Sequence, residues 1–110
     1  MLVSPALDHV IYGTADLDAA QRRMEQLGLT VVPGGVHEGQ GTHNRIVPLG
    51  ETYIELMAIS DPAEAADHPF GHRVRDAIAK GDGLIGWAVR VVDGAPAVRA
   101  AGLTDAELRP

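Results

Sequence analysis

The order of elements in this sequence predicts an α+β domain. Some short runs alternate apolar and polar residues as strands do, and others space their apolar residues as helices do. The resulting order is strand, helix, three strands, a helical linker, a strand and a helix start. Asp16 follows His9 by seven residues, and Asp93 follows Gly86 by the same seven. We therefore expect a βαβββ module followed by the first strand and helix of a truncated second module.

The first module occupies residues 1–59. Asp16 is a suitable N-cap for its helix, which Gly28 ends. The apolar positions of this helix, Leu17, Ala20, Met24 and Leu27, recur at helical spacing. Strands are predicted at residues 7–12, 29–32, 44–49 and 52–59, and the glycine-rich stretch 33–42 is predicted to be a loop.

The remaining chain divides into a helical linker, residues 60–83, and a partial second module, residues 84–110. Asp61 and Pro62 form a good helix start, Pro69 interrupts that helix, and a second one ends near Lys80. A fifth strand is predicted over 84–92 and a short helix over 93–101. All 110 residues are expected to form one domain.

Composition excludes several classes of function. The net charge of −6 and the lack of a basic patch argue against nucleic acid as a partner. Apolar runs are only strand-length, so a membrane-spanning segment is not expected. The absence of cysteine removes thiol catalysis and thiolate metal sites. No secretory signal is recognisable at the N-terminus, and a cytoplasmic location is the expectation.

His9 and Glu55 are the candidate catalytic residues. Alternate side chains of a strand share a face, so His9 shares a face with Leu7 and Ile11, and Glu55 shares one with Tyr53 and Met57. If their strands are neighbours, an imidazole and a carboxylate meet on an apolar concave surface. A lone carboxylate there is costly to bury, so we expect either two metal ligands or an acid–base pair. The alternative is a structural histidine that is hydrogen-bonded within a half-buried strand.

Five further residues are candidates for binding a substrate. Glycines in the predicted loop permit close approach of the backbone to a ligand. They flank polar side chains that can contact an oxyanion or carboxylate. Tyr53 and Met57 share the face of Glu55 on the fourth strand. The predicted substrate-binding residues are His43, Asn44, Arg45, Tyr53 and Met57. The alternative for the loop is a solvated connection between strands.

Several motifs occur in the order found in one known family. They are Leu7-Asp8-His9-Val10-Ile11-Tyr12 with Asp16-Leu17-Asp18-Ala19-Ala20, Gly39-Gln40-Gly41-Thr42-His43-Asn44, Tyr53-Ile54-Glu55-Leu56, Asp61-Pro62-Ala63, His68-Pro69-Phe70 and Gly86-Trp87-Ala88. On these motifs the chain resembles the glyoxalase-like domain family of the vicinal oxygen chelate superfamily. The resemblance covers about residues 6–103. It implies paired βαβββ modules whose curved sheets enclose a small-molecule cavity.

The resemblance also implies a divalent metal such as Zn, Fe, Mn, Ni or Mg. His9 and Glu55 match the ligands of the first module, whereas Gly86, or Trp87 in a shifted register, matches a second-module ligand and cannot bind a metal. The strand that carries the last ligand in the family is absent from this sequence. Two protein ligands are too few for a durable site. His43, His37 or a second chain would have to complete it.

Three functions follow from the sequence and the resemblance. The first is an enzyme of the glyoxalase type that acts on a small oxygenated or carbonyl molecule, as a metal-dependent lyase, isomerase or dioxygenase or by acid–base chemistry. The second is a protein that sequesters a small molecule without chemistry. The third is a degenerate half-module that serves in assembly. Because half of the cavity is missing, we expect a homodimer in which the chains exchange strand five or otherwise complete each other; the alternative is a fragment of a longer protein.

Overall fold

The computed structural model describes residues 6–90. Within this range the chain forms five strands and three helices. Their order is β1 (Ala6–Gly13), α1 (Leu17–Gln26), β2 (Val32–His37), β3 (Thr42–Leu49), β4 (Thr52–Ile59), α2 (Pro62–Asp67), α3 (Pro69–Ala79) and β5 (Gly83–Arg90). The predicted α+β class and the strand–helix–three-strand order are confirmed. The predicted helix over 93–101 lies outside the described residues.

All five strands belong to one sheet in the order β2-β3-β4-β1-β5. β1 runs parallel to β4, and β5 runs antiparallel to β1 on its other side. The strands β2, β3 and β4 follow one another as antiparallel neighbours. β4 therefore lies in the middle of the sheet and directly beside β1, which is the arrangement that the candidate pair requires.

Helices cover parts of both faces of this sheet. The first face, called the α1 face, carries a core in which Leu17, Ala20 and Met24 of α1 pack with Leu56 of β4. The opposite side, called the α3 face, carries a second cluster of Met57, Phe70 and Val74. Because neighbouring residues of β4 point to opposite faces, Leu56 belongs to the first core and Met57 to the second.

The prediction for β2 is wrong. The strand was expected at residues 29–32 and a loop at 33–42, but the strand runs from Val32 to His37 and includes Pro33 and Gly34. β2 is an edge strand and pairs with a neighbour on one side only. A proline, which has no backbone N–H to donate, is therefore tolerated there. Its register with β3 is irregular between Pro33 and Val36, which accommodates the glycines.

The linker helices begin and end close to where their caps predict. Asp61 caps α2 by accepting the backbone N–H of Ala63 at 3.0 Å. His68 caps α3, because its Nδ1 accepts the N–H of Phe70 at 3.1 Å. No helix within residues 6–90 is long and apolar enough to cross a membrane.

Asp82 ties the start of β5 to the loop between β1 and α1. Its carboxylate accepts the hydroxyl of Thr14 at 2.7 Å and the backbone N–H of Ala15 at 3.0 Å. Arg23 of α1 donates to the same carboxylate at 2.7 Å. These contacts, led by the Thr14 hydrogen bond, hold the pKa of Asp82 below its usual range. The tie fixes β5 against the first module.

Asp82→Asn should lower the free energy of unfolding by roughly 1 kcal/mol at pH 7, since the carboxylate is partly open to solvent. The folded state lowers the pKa, so this stabilisation is present above the ordinary aspartate pKa and disappears as the pH falls through the lowered value, below about pH 4. Urea unfolding between pH 3 and 7 measures both effects. Asp67→Asn, which changes an exposed carboxylate, is the control. Equal losses in the two variants would contradict the role of Asp82.

Candidate functional site

The structure brings His9 and Glu55 together on the α3 face. His9 is the Cα partner of Tyr53 in the parallel pair of β1 and β4, so Glu55 lies one pleat further along the same face. The Nε2 of His9 is 3.1 Å from the Oε1 of Glu55. Both residues are buried, with 9% and 5% of their surface exposed. The ring of His9 also stacks on Tyr53, with centroids 4.5 Å apart.

The second carboxylate oxygen of Glu55 faces β3 and β2. Asn44 donates its side-chain N–H to Oε2 at 2.6 Å. The Nε2 of His37 lies 3.7 Å from the same oxygen, and the Nδ1 of His37 is 2.8 Å from the hydroxyl of Thr42. Glu55 is therefore a buried carboxylate held between two imidazoles and one amide. These partners offset the cost of removing its charge from water.

The glycines of β2 position Asn44. A Cβ atom on Gly34 would overlap the side-chain and backbone oxygens of Asn44, so only glycine allows this approach. The backbone N–H of Gly35 donates to the Oδ1 of Asn44 at 2.8 Å, which leaves the amide N–H for Glu55. The sequence predicted that these glycines let a ligand approach the backbone closely. In the structure the group that approaches them is the side chain of Asn44.

Three of the predicted substrate-binding residues are not placed to contact a ligand beside Glu55. Arg45 lies across the sheet at α1, where it donates to Gln21 at 2.9 Å and pairs with Asp18 at 2.8 Å. His43 is two residues from Arg45 on β3 and so shares the α1 face. Met57 is fully buried beneath α3 and has no surface to offer a ligand. Asn44 and Tyr53 are the members of that set that contact the candidate pair, Asn44 through Glu55 and Tyr53 through His9.

His43 has a different environment from His37. Burial lowers the pKa of His43, and the nearby charges of Arg45 and His37 lower it further. Its imidazole is therefore favoured in the neutral form on the α1 face. Both histidines were predicted to be able to complete a metal site, and the structure places His37 beside Glu55. The register of β2 with β3 distinguishes the two histidines. His37 pairs with Thr42 and His43 pairs with Val36, and since Thr42 and His43 are neighbours on β3, the two histidines point to opposite faces.

The described residues do not fit a divalent metal on their own. His9 and Glu55 supply two donor atoms, and the Nε2 of His37 lies 3.7 Å from the Glu55 carboxylate. On β5, however, the partner of His9 is Ala88, and Gly86 lies opposite Ile11. Neither Ala88 nor Gly86 carries a donor in its side chain. Across residues 6–90, no group of three or more His, Cys, Asp or Glu side chains is placed to hold a metal ion. A durable site needs at least one more protein ligand.

The arrangement can instead hold and move a proton. A carboxylate only accepts hydrogen bonds, so the 3.1 Å contact between Glu55 and His9 requires a proton between the two atoms. Either the imidazole or the carboxyl group can carry that proton. A buried carboxylate within hydrogen-bonding distance of an imidazole is a suitable general base or acid.

The five-stranded mixed sheet, the helix against its α1 face and the polar pair on adjacent strands are those of a module of the vicinal oxygen chelate class. The chain belongs to the glyoxalase-like domain family, whose sequence model matches residues 7–108. This confirms the family resemblance of the sequence. No curated protein has significant sequence similarity to the chain.

Solved structures with the same fold include methylmalonyl-CoA epimerases. The enzyme from Mycobacterium tuberculosis is 28% identical with a TM-score of 0.69, and the match covers 93% of this chain and 69% of the enzyme. A single-residue variant of the Streptomyces coelicolor enzyme, in complex with 2-nitronate-propionyl-CoA, is 24% identical with a TM-score of 0.69, and the match covers 90% of this chain and 73% of the enzyme. A hypothetical protein from Bacillus halodurans is 19% identical with a TM-score of 0.70, and the match covers 94% of this chain and 75% of that protein.

Proposed function

We propose that this protein binds a small carbonyl compound and transfers a proton at the carbon next to the carbonyl group. The observation that carries the proposal is the buried carboxylate of Glu55, held at 3.1 Å from His9 and 2.6 Å from Asn44. The similarity to an epimerase of an acyl thioester supports the choice of substrate class. Inversion of a centre beside a carbonyl group requires removal and return of one proton.

In the proposed reaction Glu55 takes the proton from the carbon. The electron pair of the broken C–H bond forms the C=C bond of an enolate, and the carbonyl oxygen takes the negative charge. Return of the proton from Glu55 or His9 to the carbon restores the carbonyl compound. His37 lies on the other side of the Glu55 carboxylate from His9, and a quarter of its side chain is exposed. It is the imidazole best placed to stabilise the charged oxygen.

Deuterium exchange tests the proposal. Methylmalonyl-CoA is the first probe, because its C2 proton lies between two carbonyl groups. The protein is incubated with it in D2O in the presence of EDTA, and loss of the C2 proton is followed by NMR. Exchange faster than in the absence of protein is the expected result. If the probe binds, as shown by a rise in the melting temperature, but exchange stays at the background rate, the proposed chemistry is wrong for this substrate.

The second candidate is a protein that sequesters a small molecule without reacting with it. Ala88 favours this candidate. It lies beside His9 on β5 and has no polar side chain, so the polar site does not extend onto that strand. The same experiment separates the two functions. Stabilisation of the protein by a carbonyl ligand without any exchange is the result that a sequestering protein would give.

We also propose that two chains form a homodimer. Within residues 6–90, β5 is the edge of the sheet beside β1, and its outer strand side has no neighbour. Leu84 and Trp87 of β5 are 72% and 60% exposed, and Val89 and Leu7 are also exposed. An apolar edge strand is a ready surface for pairing with another chain.

Light scattering should therefore give a mass near twice the 11.6 kDa of one chain. Trp87→Glu should shift the protein toward the monomer, because it places a charge on the apolar edge. Leu27→Glu is the matched control, since Leu27 is also an exposed apolar residue but lies at the end of α1. A wild-type protein with the mass of one chain would contradict the dimer.

A further inference from the structure

We propose that Asp8 is a positioning residue for His9, a role that rests on the proton transfer proposed above. The Oδ2 atom of Asp8 is 2.8 Å from the Nδ1 of His9, while the Nε2 of the same ring is 3.1 Å from Glu55. Asp8, His9 and Glu55 thus form one line of hydrogen-bonding groups. This line begins at a partly exposed carboxylate and ends at the buried one.

Asp8 reaches His9 because of a β-bulge. Neighbouring residues of a regular strand point to opposite faces, and their side chains do not meet. In the pairing of β1 with β5, Leu7 is opposite Val89 and His9 is opposite Ala88, so Asp8 is an extra residue without a partner. A bulge of this kind redirects a side chain. It allows the carboxylate of Asp8 to lie against the ring of the residue that follows it.

The contact fixes which nitrogen of His9 faces Glu55. A carboxylate oxygen accepts, so the Nδ1 of His9 must carry the proton that Asp8 binds. In the neutral imidazole the Nε2 is then the basic nitrogen, and it is directed at Glu55. Stacking on Tyr53 restricts the ring plane at the same time. In this arrangement Nε2 can take a proton from Glu55 and return it, and Asp8 touches neither substrate nor reacting atoms.

Arg90 determines how the amide is oriented in the conservative substitution Asp8→Asn. Its Nε lies 3.2 Å from the Oδ1 of Asp8, on the opposite carboxylate oxygen from His9. In Asp8→Asn, the amide oxygen is the group that can accept from Arg90. The amide N–H then faces the Nδ1 of His9 and favours the tautomer with the proton on Nε2. That tautomer cannot take from Glu55 the proton that Glu55 has removed from the carbon, so the geometry is retained and the proton transfer is slowed.

Two measurements on Asp8→Asn test the inference. The first is 15N NMR of the histidine rings, with His9 assigned by its absence in His9→Gln. We expect a protonated Nδ1 in the wild type and a shift of the proton to Nε2 in the variant. The second is the deuterium exchange of methylmalonyl-CoA, which should fall at least about tenfold with little change in probe affinity. Asp76→Asn is the control, because Asp76 pairs with His72 at 3.2 Å on the exposed side of α3.

The two readouts separate this inference from the proposed function. An unchanged His9 tautomer in Asp8→Asn overturns the positioning role, whatever the exchange rate is. A changed tautomer with wild-type exchange overturns it as well, since the tautomer then has no consequence for the reaction. A wild-type protein that protonates Nδ1 and binds methylmalonyl-CoA but catalyses no exchange contradicts the proposed chemistry for this substrate and leaves the orientation of His9 by Asp8 supported. Normal exchange and an unchanged spectrum are expected for Asp76→Asn outside the His72 signals.

Discussion

Glu55→Gln should lower the rate of deuterium exchange at C2 of methylmalonyl-CoA at least about 100-fold, because the amide cannot accept a proton from carbon. Glutamine has nearly the same shape as glutamate, and its oxygen can still accept the hydrogen bond from Asn44. Its N–H can donate to the Nε2 of His9. We therefore expect a folded protein whose affinity for the probe changes little, which is the pattern of an interaction used in the transition state.

The control for this substitution is Glu51→Gln, which changes an exposed carboxylate in the turn between β3 and β4. It should exchange at the wild-type rate. Exchange by Glu55→Gln within a few-fold of the wild type would mean that another group removes the proton. A large loss of probe binding in that variant would instead assign Glu55 to binding, which supports the sequestering function.

Gly41→Ala should destabilise the fold severely, by roughly 3–5 kcal/mol. Gly41 has a φ of +74°, which is unfavourable for alanine, and a new Cβ would overlap the backbone of Asp61 and Ala65 at the start of α2. The backbone oxygen of Gly41 also accepts the N–H groups of Ser60 and Asp61. A loss of this size is comparable with the whole stability of many small domains. Chemical denaturation followed by circular dichroism measures it.

Gly39→Ala is the matched control in the same turn. Gly39 has a φ of +81°, and nothing lies within 4 Å of a Cβ built there. It therefore carries the backbone cost without the overlap, and we expect a loss of about 1–2 kcal/mol. The difference between the two variants measures the packing of the β2–β3 turn against α2. Similar losses at both positions would show that this packing does not restrict Gly41.

Elements with a regular local pattern could be predicted from the sequence. The strand predicted at 52–59 coincides with β4, and the strand predicted at 7–12 differs from β1 by one residue at each end. Both show an alternation that depends only on neighbouring residues. The caps Asp16 and Asp61 locate the starts of α1 and α2 for the same reason, since each bonds to N–H groups within three residues.

β2 could not be predicted in this way. Its proline and glycines have the local properties of a loop, and only the finished sheet shows why they are tolerated. The edge position accepts Pro33, and the close approach of Asn44 requires Gly34. Because the strand was missed, the phase of the following residues was unknown. The sequence therefore could not decide whether His37 or His43 lies beside Glu55.

The pairing of His9 with Glu55 was accessible from the sequence because both lie on strands with clear alternation. The family resemblance supplied the fact that these strands are neighbours. Asp8 was not found, because a residue adjacent in sequence to His9 is expected on the other face. The extra residue in the pairing of β1 with β5 depends on the register between two distant segments, which no local pattern reports.

A double-mutant cycle tests most directly whether His9 and Glu55 form one site. The free energies of unfolding are measured for the wild type, His9→Ala, Glu55→Ala and the double variant, because alanine removes the contact without forming a new hydrogen bond. Since the two side chains lie 3.1 Å apart and are buried, the losses should be non-additive, with a coupling of about 1–3 kcal/mol. Losses that simply add, with a coupling indistinguishable from zero, would contradict the pairing and with it the proposed chemistry.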